Sequence, residues 1–351
     1  MLNWLKNQTI TETKGVFNDL VARVDGFDFV FGLGGIHGSI ESEIVQSDEQ
    51  FVIVDLDVSS YYPNLAISNR FYPKHLGEQF CDIYKNLYEQ RKTYAKGSAE
   101  NAMLKLALNG VYGDSNNKFS VFYDPLFTMS ITLNGQLLLC VLAENLIRIK
   151  DLSLIQINTD GVTVRLPRTE MAHLQEVRSW WERLTGLELE EAIYKSMMIR
   201  DVNNYIAVYE DGSTKRKGAY EWKTQWHQNA GGLVIPKVAE KVLVEGAPIR
   251  ETVETWPEKM DFMLRTKVPR SSYLQWGDEQ VQNISRYYIA VGGKPLNKWM
   301  PPLAKKPTEW RKIGVESGWD VQVCNDIHDA TLPINYDYYI QEVEKLVLGL
   351  C

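Results

Sequence analysis

Two aspartates in this chain stand at the ends of apolar segments that are typical of β-strands. Asp57 ends the segment Phe51-Val-Ile-Val-Asp-Leu-Asp57, and Asp160 stands in the middle of Leu154-Ile-Gln-Ile-Asn-Thr-Asp-Gly-Val-Thr-Val164. The near-continuous Val and Ile of the first segment predict a buried strand, and the Asp-Gly pair of the second predicts a hairpin with Asp160 at its turn. Two carboxylates held on strand ends can chelate a pair of Mg²⁺ ions, the arrangement used for in-line phosphoryl and nucleotidyl transfer.

A helix between these two sites carries polar groups on one face. Lys105, Asn109 and Tyr112 are spaced at i, i+4 and i+7, so they share one side of a helix. An ammonium, an amide and a phenol together suit a nucleoside triphosphate better than they suit an apolar core. A solvated lysine is a sufficient explanation of Lys105 if no other polar group lies beside it.

Each aspartate also has a purely structural explanation. Asp57 precedes Val58-Ser-Ser60 and could cap the helix that follows. Asp160 could be the ordinary aspartate of a type I′ turn. The two explanations are weakened together by Ser60-Tyr-Tyr-Pro63 beside Asp57 and by the polar helix face between the two sites.

Three segments resemble the motifs of family B DNA polymerases. Asp57-Val-Ser-Ser-Tyr-Tyr-Pro63 resembles motif A (DxxSLYP), Lys105-Leu-Ala-Leu-Asn-Gly-Val-Tyr-Gly113 resembles motif B (KxxxNSxYG), and Gln156-Ile-Asn-Thr-Asp-Gly161 resembles motif C (YxDTDS). Their order and spacing also match. The likeness is to the compact polymerases of bacteriophages and extends from Gly34-Gly35 to the C-terminal Tyr338-Tyr-Ile340 segment.

The resemblance implies roles for three groups of residues. Asp57 and Asp160, with the Val58 carbonyl, would hold two Mg²⁺ ions, with Mn²⁺ as the alternative metal. The residues implied to contact the nucleotide are Ser60, Tyr61, Tyr62, Arg91, Lys105, Asn109 and Tyr112. The residues implied to contact DNA are Gly34, Gly35, Gly113, Tyr205, Lys215, Lys217 and Gly218.

Within the nucleotide group, the resemblance gives Tyr62 the role of a steric gate against a ribose 2′-hydroxyl. Arg91 and Lys105 would hold the β- and γ-phosphates. Because two tyrosines are adjacent, the alternative is that Tyr62 is a core aromatic and that Tyr61 faces the nucleotide.

The sequence departs from the family pattern at three places. Motif C has Asn158 where the family has its first aspartate, a supporting position, so activity is expected to remain. Motif B has Gly110 in place of serine, which lowers helix propensity by about half a kcal/mol. The primer-gripping KxY element reads Asn203-Asn204-Tyr205, so only Tyr205 carries over, with Lys217-Gly218 as the expected cationic contact.

A proofreading exonuclease is expected to be absent from this chain or to be supplied by another. Family members carry such a domain, with a DxE motif, ahead of motif A, and residues 1–50 contain no DxE. The segment between Pro63 and Arg91 also has no room for the insertion of protein-primed relatives.

Bulk composition is that of a globular protein. The 351 residues are 44% hydrophobic and 24% charged, which is enough for two or three domains or subdomains. The four cysteines are scattered and predict reduced thiols. The five histidines form no HxH or HExxH group, so zinc is not expected. No apolar run is expected to reach the roughly 18 residues of a membrane-spanning helix, and no signal peptide is seen.

The net charge of −7 argues against nucleic acid as a partner only superficially. Residues 1–73 have four basic and ten acidic residues, whereas residues 211–250 have seven basic and four acidic ones. A local basic patch can contact phosphates whatever the total charge, with marked sensitivity to salt.

The pattern of elements predicts an α+β fold. We expect a short N-terminal amphipathic helix, helices at 76–96 and 98–112 joined near a Ser98 N-cap, and a long apolar helix at 130–150. A hairpin at 153–166, a helix near 168–186 and a second hairpin around Asp211-Gly-Ser213 follow. From about residue 235 onward, the pattern predicts mostly helix.

Together with the resemblance, these elements predict a polymerase right hand with an antiparallel-sheet palm, two-helix fingers and a mostly helical thumb. The expected divisions are an N-terminal lead-in at 1–50, a palm at 51–75 and 114–210, fingers at 76–113, and a thumb at 211–351.

The predicted function is template-directed DNA polymerisation in the cytoplasm, or in the host cytoplasm if the chain is phage-encoded. Its partners would be primer–template DNA, dNTPs and a separate exonuclease or accessory replication chain, with no membrane. One alternative is another two-metal enzyme such as a nuclease, which would not need the Lys105, Asn109 and Tyr112 face. The other is a catalytically weak or inactive polymerase-like DNA-binding replication subunit.

Overall fold

The strand β5, Phe51–Val58, lies inside a large sheet and carries Asp57 near its end. Successive side chains of a strand point to opposite faces. Val52, Val54, Leu56 and Val58 all belong to one hydrophobic core, so Asp57 projects from the opposite face of the sheet.

A computed structural model of the chain describes residues 15, 17, 20–222, 231–302 and 308–350. They divide into two units. The first contains the described residues up to Val202 together with Ala207–Lys215, and the second contains Asn203–Ile206 and the described residues from Arg216 onward. The predicted N-terminal helix lies largely outside the described residues.

The strands of the large sheet, in chain order, are β1 (Val21–Val24), β2 (Phe27–Phe31), β3 (Ile36–Ser39), β4 (Glu43–Gln46), β5, β6 (Ser153–Asn158), β7 (Gly161–Pro167), β8 (Leu189–Asp201), β9 (Asn204–Tyr209) and β10 (Thr214–Lys217). Their spatial order is β1-β2-β3-β6-β7-β5-β8-β9-β10, and β4 pairs with β8. The strand β5 is antiparallel to both of its neighbours. The division between the two units falls within β9 and β10.

The helices of the first unit are α1 (Tyr61–Asn69), α2 (Gln79–Lys92), α3 (Ala99–Asp114), α4 (Pro125–Leu146) and α5 (Met171–Thr185). Each contributes to the core on the Val52 face of the sheet. Helix α3 begins at Ser98, whose side chain accepts a hydrogen bond from the Asn101 amide, as the N-cap prediction required. The predicted helix pair, the 153–166 hairpin and the helix near 168–186 are confirmed within a few residues.

Helix α4 corrects one sequence expectation. Its 22 residues are long and apolar enough to cross a membrane by length and composition, contrary to the expectation that no apolar run reaches that length. More than half of that stretch is buried within the protein. The indole nitrogen of Trp181, on α5, donates to the Leu138 carbonyl of α4, so α4 serves as a core helix here.

The helices of the second unit are α6 (Val234–Glu245), α7 (Ile249–Glu254) and α8 (Tyr336–Val347). One of its sheets has the order β11 (Leu264–Lys267), β14 (Ile284–Lys294) and β17 (Val321–Val323). The other has the order β13 (Glu279–Val281), β12 (Tyr273–Trp276), β15 (Leu296–Met300) and β16 (Arg311–Val315).

The expectation of a mostly helical C-terminal region was therefore wrong. The described part of the chain from Leu264 to Val323 contains seven strands. Two of them are only three residues long, too short for an alternating pattern to be recognised. The long β14 is rich in Tyr, Ile and Val, a strand signal that the helical prediction overlooked.

Candidate active site

Backbone pairing brings the two aspartates together. In the pairing of β5 with β7, Asp57 lies opposite Gly161, and the Val58 amide donates to the Asp160 carbonyl over 2.7 Å. A Cβ atom at position 161 would lie 3.2 Å from the Asp57 carboxylate. The Asp160 turn therefore lies directly beside Asp57. Asp57 does not cap α1, whose N-cap is Ser60.

Both aspartates line one cavity of about 680 Å³ in the first unit. Every residue predicted to act in catalysis, in metal binding or in nucleotide binding lies in the wall of this cavity. These residues are Asp57, Val58, Ser60, Tyr61, Tyr62, Arg91, Lys105, Asn109, Tyr112 and Asp160. The structure thus joins positions that are separated by about a hundred residues of sequence.

The aspartates lie in a strongly negative environment. Burial raises the pKa of Asp57 to about 7, and the charges of Asp160, Asp55 and Glu190 act in the same direction, while Lys215 opposes them. Repulsion among neighbouring carboxylates raises their pKa, and a bound cation would offset that repulsion and stabilise their ionised form.

Oxygen ligands suited to Mg²⁺ are available at this point. Mg²⁺ is held in proteins by one or two carboxylates, and substrate phosphates and water complete its shell. Asp57 and Asp160 supply the carboxylates, and Val58 also lines the cavity and could contribute its carbonyl. In the part of the chain that the structure describes, no group of three or more His, Cys, Asp or Glu forms a metal cluster. The donors therefore fit Mg²⁺ shared with a substrate better than a metal enclosed by protein alone.

A buried polar cluster supports β5 behind Asp57. Asp55 accepts hydrogen bonds from the Tyr194 hydroxyl (2.6 Å), from Lys215 Nζ (3.0 Å) and from Thr163 Oγ1 (2.7 Å). The ion pair satisfies a carboxylate that would otherwise be costly to bury. Lys215, predicted to contact DNA, is thus engaged with Asp55 in this structure.

Part of the cavity wall is cationic. Lys105, Asn109 and Tyr112 all face it from α3, as their spacing predicted. Arg91, near the end of α2, donates to Ser60 Oγ over 2.6 Å. This cationic wall can receive the phosphates of a nucleotide in the cavity whose carboxylates could hold metal.

Two further charged residues of the cavity wall were not identified from the sequence. Lys96 lies between α2 and α3 and pairs with Glu190 of β8 at 3.0 Å. The antiparallel register places Glu190 opposite Asp57. Neither residue belongs to a motif segment. Glu190 could have been identified only from the pairing register of β8 with β5, and short-range sequence patterns do not predict that register.

The two adjacent tyrosines have different surroundings. Tyr61 is 3% exposed, and its hydroxyl donates to the Gly135 carbonyl over 2.6 Å. The ring of Tyr62 lies 4.3 Å from that of Tyr112, and its hydroxyl donates to the Gly34 carbonyl. The arrangement favours Tyr62 rather than Tyr61 as the ring that can face a ligand.

Asn158 has a supporting place in the hairpin. Its Nδ2 donates to the Val202 carbonyl over 3.1 Å, and its Oδ1 accepts from Thr159 Oγ1 over 3.2 Å. It is not among the residues that line the cavity. The effect of Asn158 on metal binding stays a prediction.

Of the glycines predicted to contact DNA, Gly34 and Gly35 lie beside the cavity. A Cβ atom at Gly35, whose φ is +154°, would lie 3.0 Å from the Tyr62 hydroxyl oxygen and 3.3 Å from Thr159. A side chain there would displace the ring that lines the cavity. At Gly34 and at Gly113 a Cβ atom would meet nothing within 4 Å, so packing within the protein does not require glycine at these two positions.

The remaining predicted DNA contacts belong to the second unit. Tyr205 is buried on β9 and Lys217 is exposed. Gly218 has a φ of +62°, and a Cβ atom there would lie 2.3 Å from the Asn203 carbonyl oxygen. Glycine is therefore required at 218 for backbone reasons alone.

The chain matches no protein-family profile and no curated protein sequence. Among solved structures, it is similar to the family B DNA polymerase from the hyperthermophilic archaeon Pyrobaculum calidifontis, with a TM-score of 0.50 and 16% sequence identity. The similarity covers 88% of this chain and 46% of the archaeal polymerase. The chain thus spans less than half the length of that protein, and at this identity the likeness concerns the fold. The bacteriophage type stays a prediction. This α+β chain, with its antiparallel sheets, is similar in fold to part of a family B DNA polymerase.

Proposed function

We propose that the chain is a template-directed DNA polymerase that extends a primer 3′ end with dNTPs. The observation that carries the proposal is the convergence of three sequence motifs on one cavity, which is lined by both carboxylates and cations. The fold similarity to a DNA polymerase supports it independently.

In this proposal, Asp57 and Asp160, with the Val58 carbonyl, hold two Mg²⁺ ions, or Mn²⁺ as the alternative. When bound, such a metal pair activates the primer 3′-hydroxyl and stabilises the charge that develops on pyrophosphate. The hydroxyl oxygen bonds to the α-phosphorus of the dNTP as the bond to pyrophosphate breaks.

The residues of the cationic wall position the nucleotide. Arg91 and Lys105 bind the β- and γ-phosphates, and Lys96 adds a third cation at the cavity wall. Asn109 and Tyr112 lie against the nascent base pair, and Tyr62 packs under the sugar. Positioning of this kind supplies much of the rate enhancement in phosphoryl transfer.

We assign the regions of a right hand accordingly. Residues 51–75 and 114–210 form the palm, residues 76–113 form the fingers with α2 and α3 as their two helices, and residues 211–351 form the thumb. The partners are primer–template DNA and dNTPs, with a separate exonuclease or accessory chain, and the compartment is the cytoplasm.

Primer extension tests the proposal. With Mg²⁺ and one dNTP at a time, we expect addition only of the nucleotide complementary to the next template base. Addition without regard to the template, or no addition, would contradict the assignment. When dNTPs are omitted, we expect a mismatched primer to keep its length, because a proofreading activity is not assigned to this chain.

A further inference from the structure

Two polar side chains of helix α4 are buried outside the cavity wall. Thr132 and Gln136 are four residues apart, so they lie on the same face of α4. Their exposures are 0% and 2%, and neither lines the cavity. Buried polar groups take hydrogen-bond partners, and the partners of these two lead to the cavity tyrosines Tyr112 and Tyr62.

Thr132 binds the hydroxyl of Tyr112. The Thr132 hydroxyl donates to the Thr128 carbonyl over 3.0 Å, and the Thr132 oxygen lies 2.8 Å from the Tyr112 hydroxyl oxygen. A hydroxyl group has one hydrogen to donate. Because Thr132 gives its hydrogen to Thr128, Tyr112 donates to Thr132. The hydroxyl end of the Tyr112 ring is therefore fixed to α4.

Gln136 binds the loop that holds Tyr62. The four residues from Gly32 to Gly35, which join β2 to β3, are called the glycine loop. Gln136 Nε2 donates to the Gly32 carbonyl over 2.9 Å. The Gly32 amide donates to the Gly35 carbonyl over 3.0 Å, which closes the loop. Within the loop, the Gly34 carbonyl accepts from the Tyr62 hydroxyl. Gln136 is thus connected to Tyr62 through the backbone of the glycine loop.

The Gln136 amide is costly at a buried position. Among the residues that the structure describes, its Oε1 atom has no hydrogen-bond partner. A buried acceptor without a partner lowers stability, and an apolar side chain of similar size would avoid that cost. An apolar side chain could not donate to Gly32, so the bond to the glycine loop is what the amide contributes.

The two anchors act on rings that contact each other. The ring centroids of Tyr62 and Tyr112 are 4.3 Å apart, and the ring planes meet at 43°. The glycine loop also packs closely against the end of the Tyr62 ring, because a Cβ atom at Gly35 would lie 3.0 Å from the Tyr62 hydroxyl oxygen. Since both anchors belong to one helix, α4 fixes the two rings relative to each other.

We propose that Gln136 and Thr132 are positioning residues for the discrimination between deoxyribonucleotides and ribonucleotides. Gln136 holds the glycine loop and, through it, the Tyr62 hydroxyl, while Thr132 holds the neighbouring Tyr112 ring. A steric gate rejects a 2′-hydroxyl only while its ring cannot move aside, and these hydrogen bonds resist that movement. The inference rests on the proposed function, because it concerns the sugar of the incoming nucleotide.

Single-nucleotide primer extension with a dNTP and with the matching rNTP tests the inference. Gln136→Met keeps the approximate size of the side chain and removes the donor to Gly32. It should lower the ratio of kcat/KM for dNTP over rNTP by about fivefold, the scale of one lost hydrogen bond. Thr132→Val removes the hydroxyl and should lower the ratio similarly, whereas Thr132→Ser keeps the hydroxyl and should keep the ratio. The change should appear mainly as a lower KM for rNTP, because the Tyr62 ring then yields to the sugar.

The ratio separates positioning from general damage to the fold. Loss of folded protein lowers kcat/KM for both nucleotides equally and cancels in the ratio. Asn145→Ala is the matched control on α4, because the Asn145 amide donates to the Val141 carbonyl of the same helix, and its ratio should equal that of the parent.

The outcomes distinguish this inference from the proposed function. If the parent extends primers but the ratio is unchanged in Gln136→Met or in Thr132→Val, the inference alone is overturned. An equal fall of the ratio in Asn145→Ala also overturns it. A parent that adds no dNTP overturns the proposed function, and the inference with it.

Discussion

At the scale of single residues, Asp57 is surrounded by like charge. Its pKa is raised from 3.8 to about 7 by burial and by the neighbouring carboxylates Asp160, Asp55 and Glu190. Between these pH values, the folded protein retains a proton that the unfolded chain has released. The free energy of unfolding of the metal-free protein should therefore fall as the pH rises through this window.

We expect the metal-free melting temperature to be lower at about pH 8 than at about pH 5, with a difference in stability on the order of a few kcal/mol. Mg²⁺ should raise the melting temperature more at the higher pH, because the metal binds ionised carboxylates. Calorimetry at both pH values, with and without Mg²⁺, measures both effects. In Asp57→Asn, the melting temperature should depend less on pH and less on Mg²⁺ than it does in the parent. An Asp57→Asn variant whose melting temperature changes with pH as much as that of the parent would contradict this account of the site.

Tyr62 decides the choice of sugar if its ring lies under the nucleotide. Tyr62→Ala should lower the ratio of kcat/KM for dNTP over rNTP by orders of magnitude, because each 1.36 kcal/mol of steric clash is tenfold in rate. Tyr62→Phe keeps the ring and should keep the ratio. Tyr61→Phe removes only the hydrogen bond to Gly135, so this variant should also keep the ratio. A ratio that falls in Tyr61→Ala but not in Tyr62→Ala would move the gate by one residue.

At the scale of elements, α3 presents its polar residues to the cavity as a single face. Lys105→Ala and Asn109→Ala should each lower kcat/KM for the nucleotide by about ten- to a hundredfold, the range expected for a lost charged or buried hydrogen bond. Leu106→Ala is the control, because Leu106 is 75% exposed on the same helix and does not line the cavity. Steady-state kinetics of single-nucleotide insertion measures the difference. Equal losses at Lys105 and Leu106 would indicate damage to the helix instead.

The strand β10 carries three consecutive cations with different partners. Lys215 pairs with Asp55, and Arg216 forms two hydrogen bonds with Glu240 of 2.6 and 2.7 Å, whereas Lys217 is exposed. Lys217→Ala should reduce the log–log salt slope of primer–template binding by about 0.9, the value for one lost phosphate contact on duplex DNA. Arg216→Gln should leave that slope unchanged. An unchanged slope in Lys217→Ala would place the duplex away from this strand.

At the scale of the whole molecule, sequence reasoning was most accurate where the structure follows from short-range patterns. The positions of Asp57 and Asp160 on strand and turn, the helix pair that follows Asp57, and the Lys105 face were all predicted from short-range periodicity. The strands after Leu264 were not, because most are three to five residues long and their pairing depends on partners that are distant in sequence. Lys96 and Glu190 were missed because they enter the cavity through a loop and through strand register.

The central claim is that Asp57 and Asp160 together hold the metals that catalyse nucleotide addition. Single-nucleotide primer extension in Mg²⁺, with the parent chain, Asp57→Asn, Asp160→Asn and Asn158→Ala, tests it most directly. We expect the two aspartate variants to lose extension by about a thousandfold or more, the scale of several kcal/mol of lost transition-state stabilisation. Asn158→Ala should stay within about tenfold of the parent, since that side chain bonds to Val202 and lies outside the cavity wall. Extension by either aspartate variant at a rate within tenfold of the parent would contradict the claim.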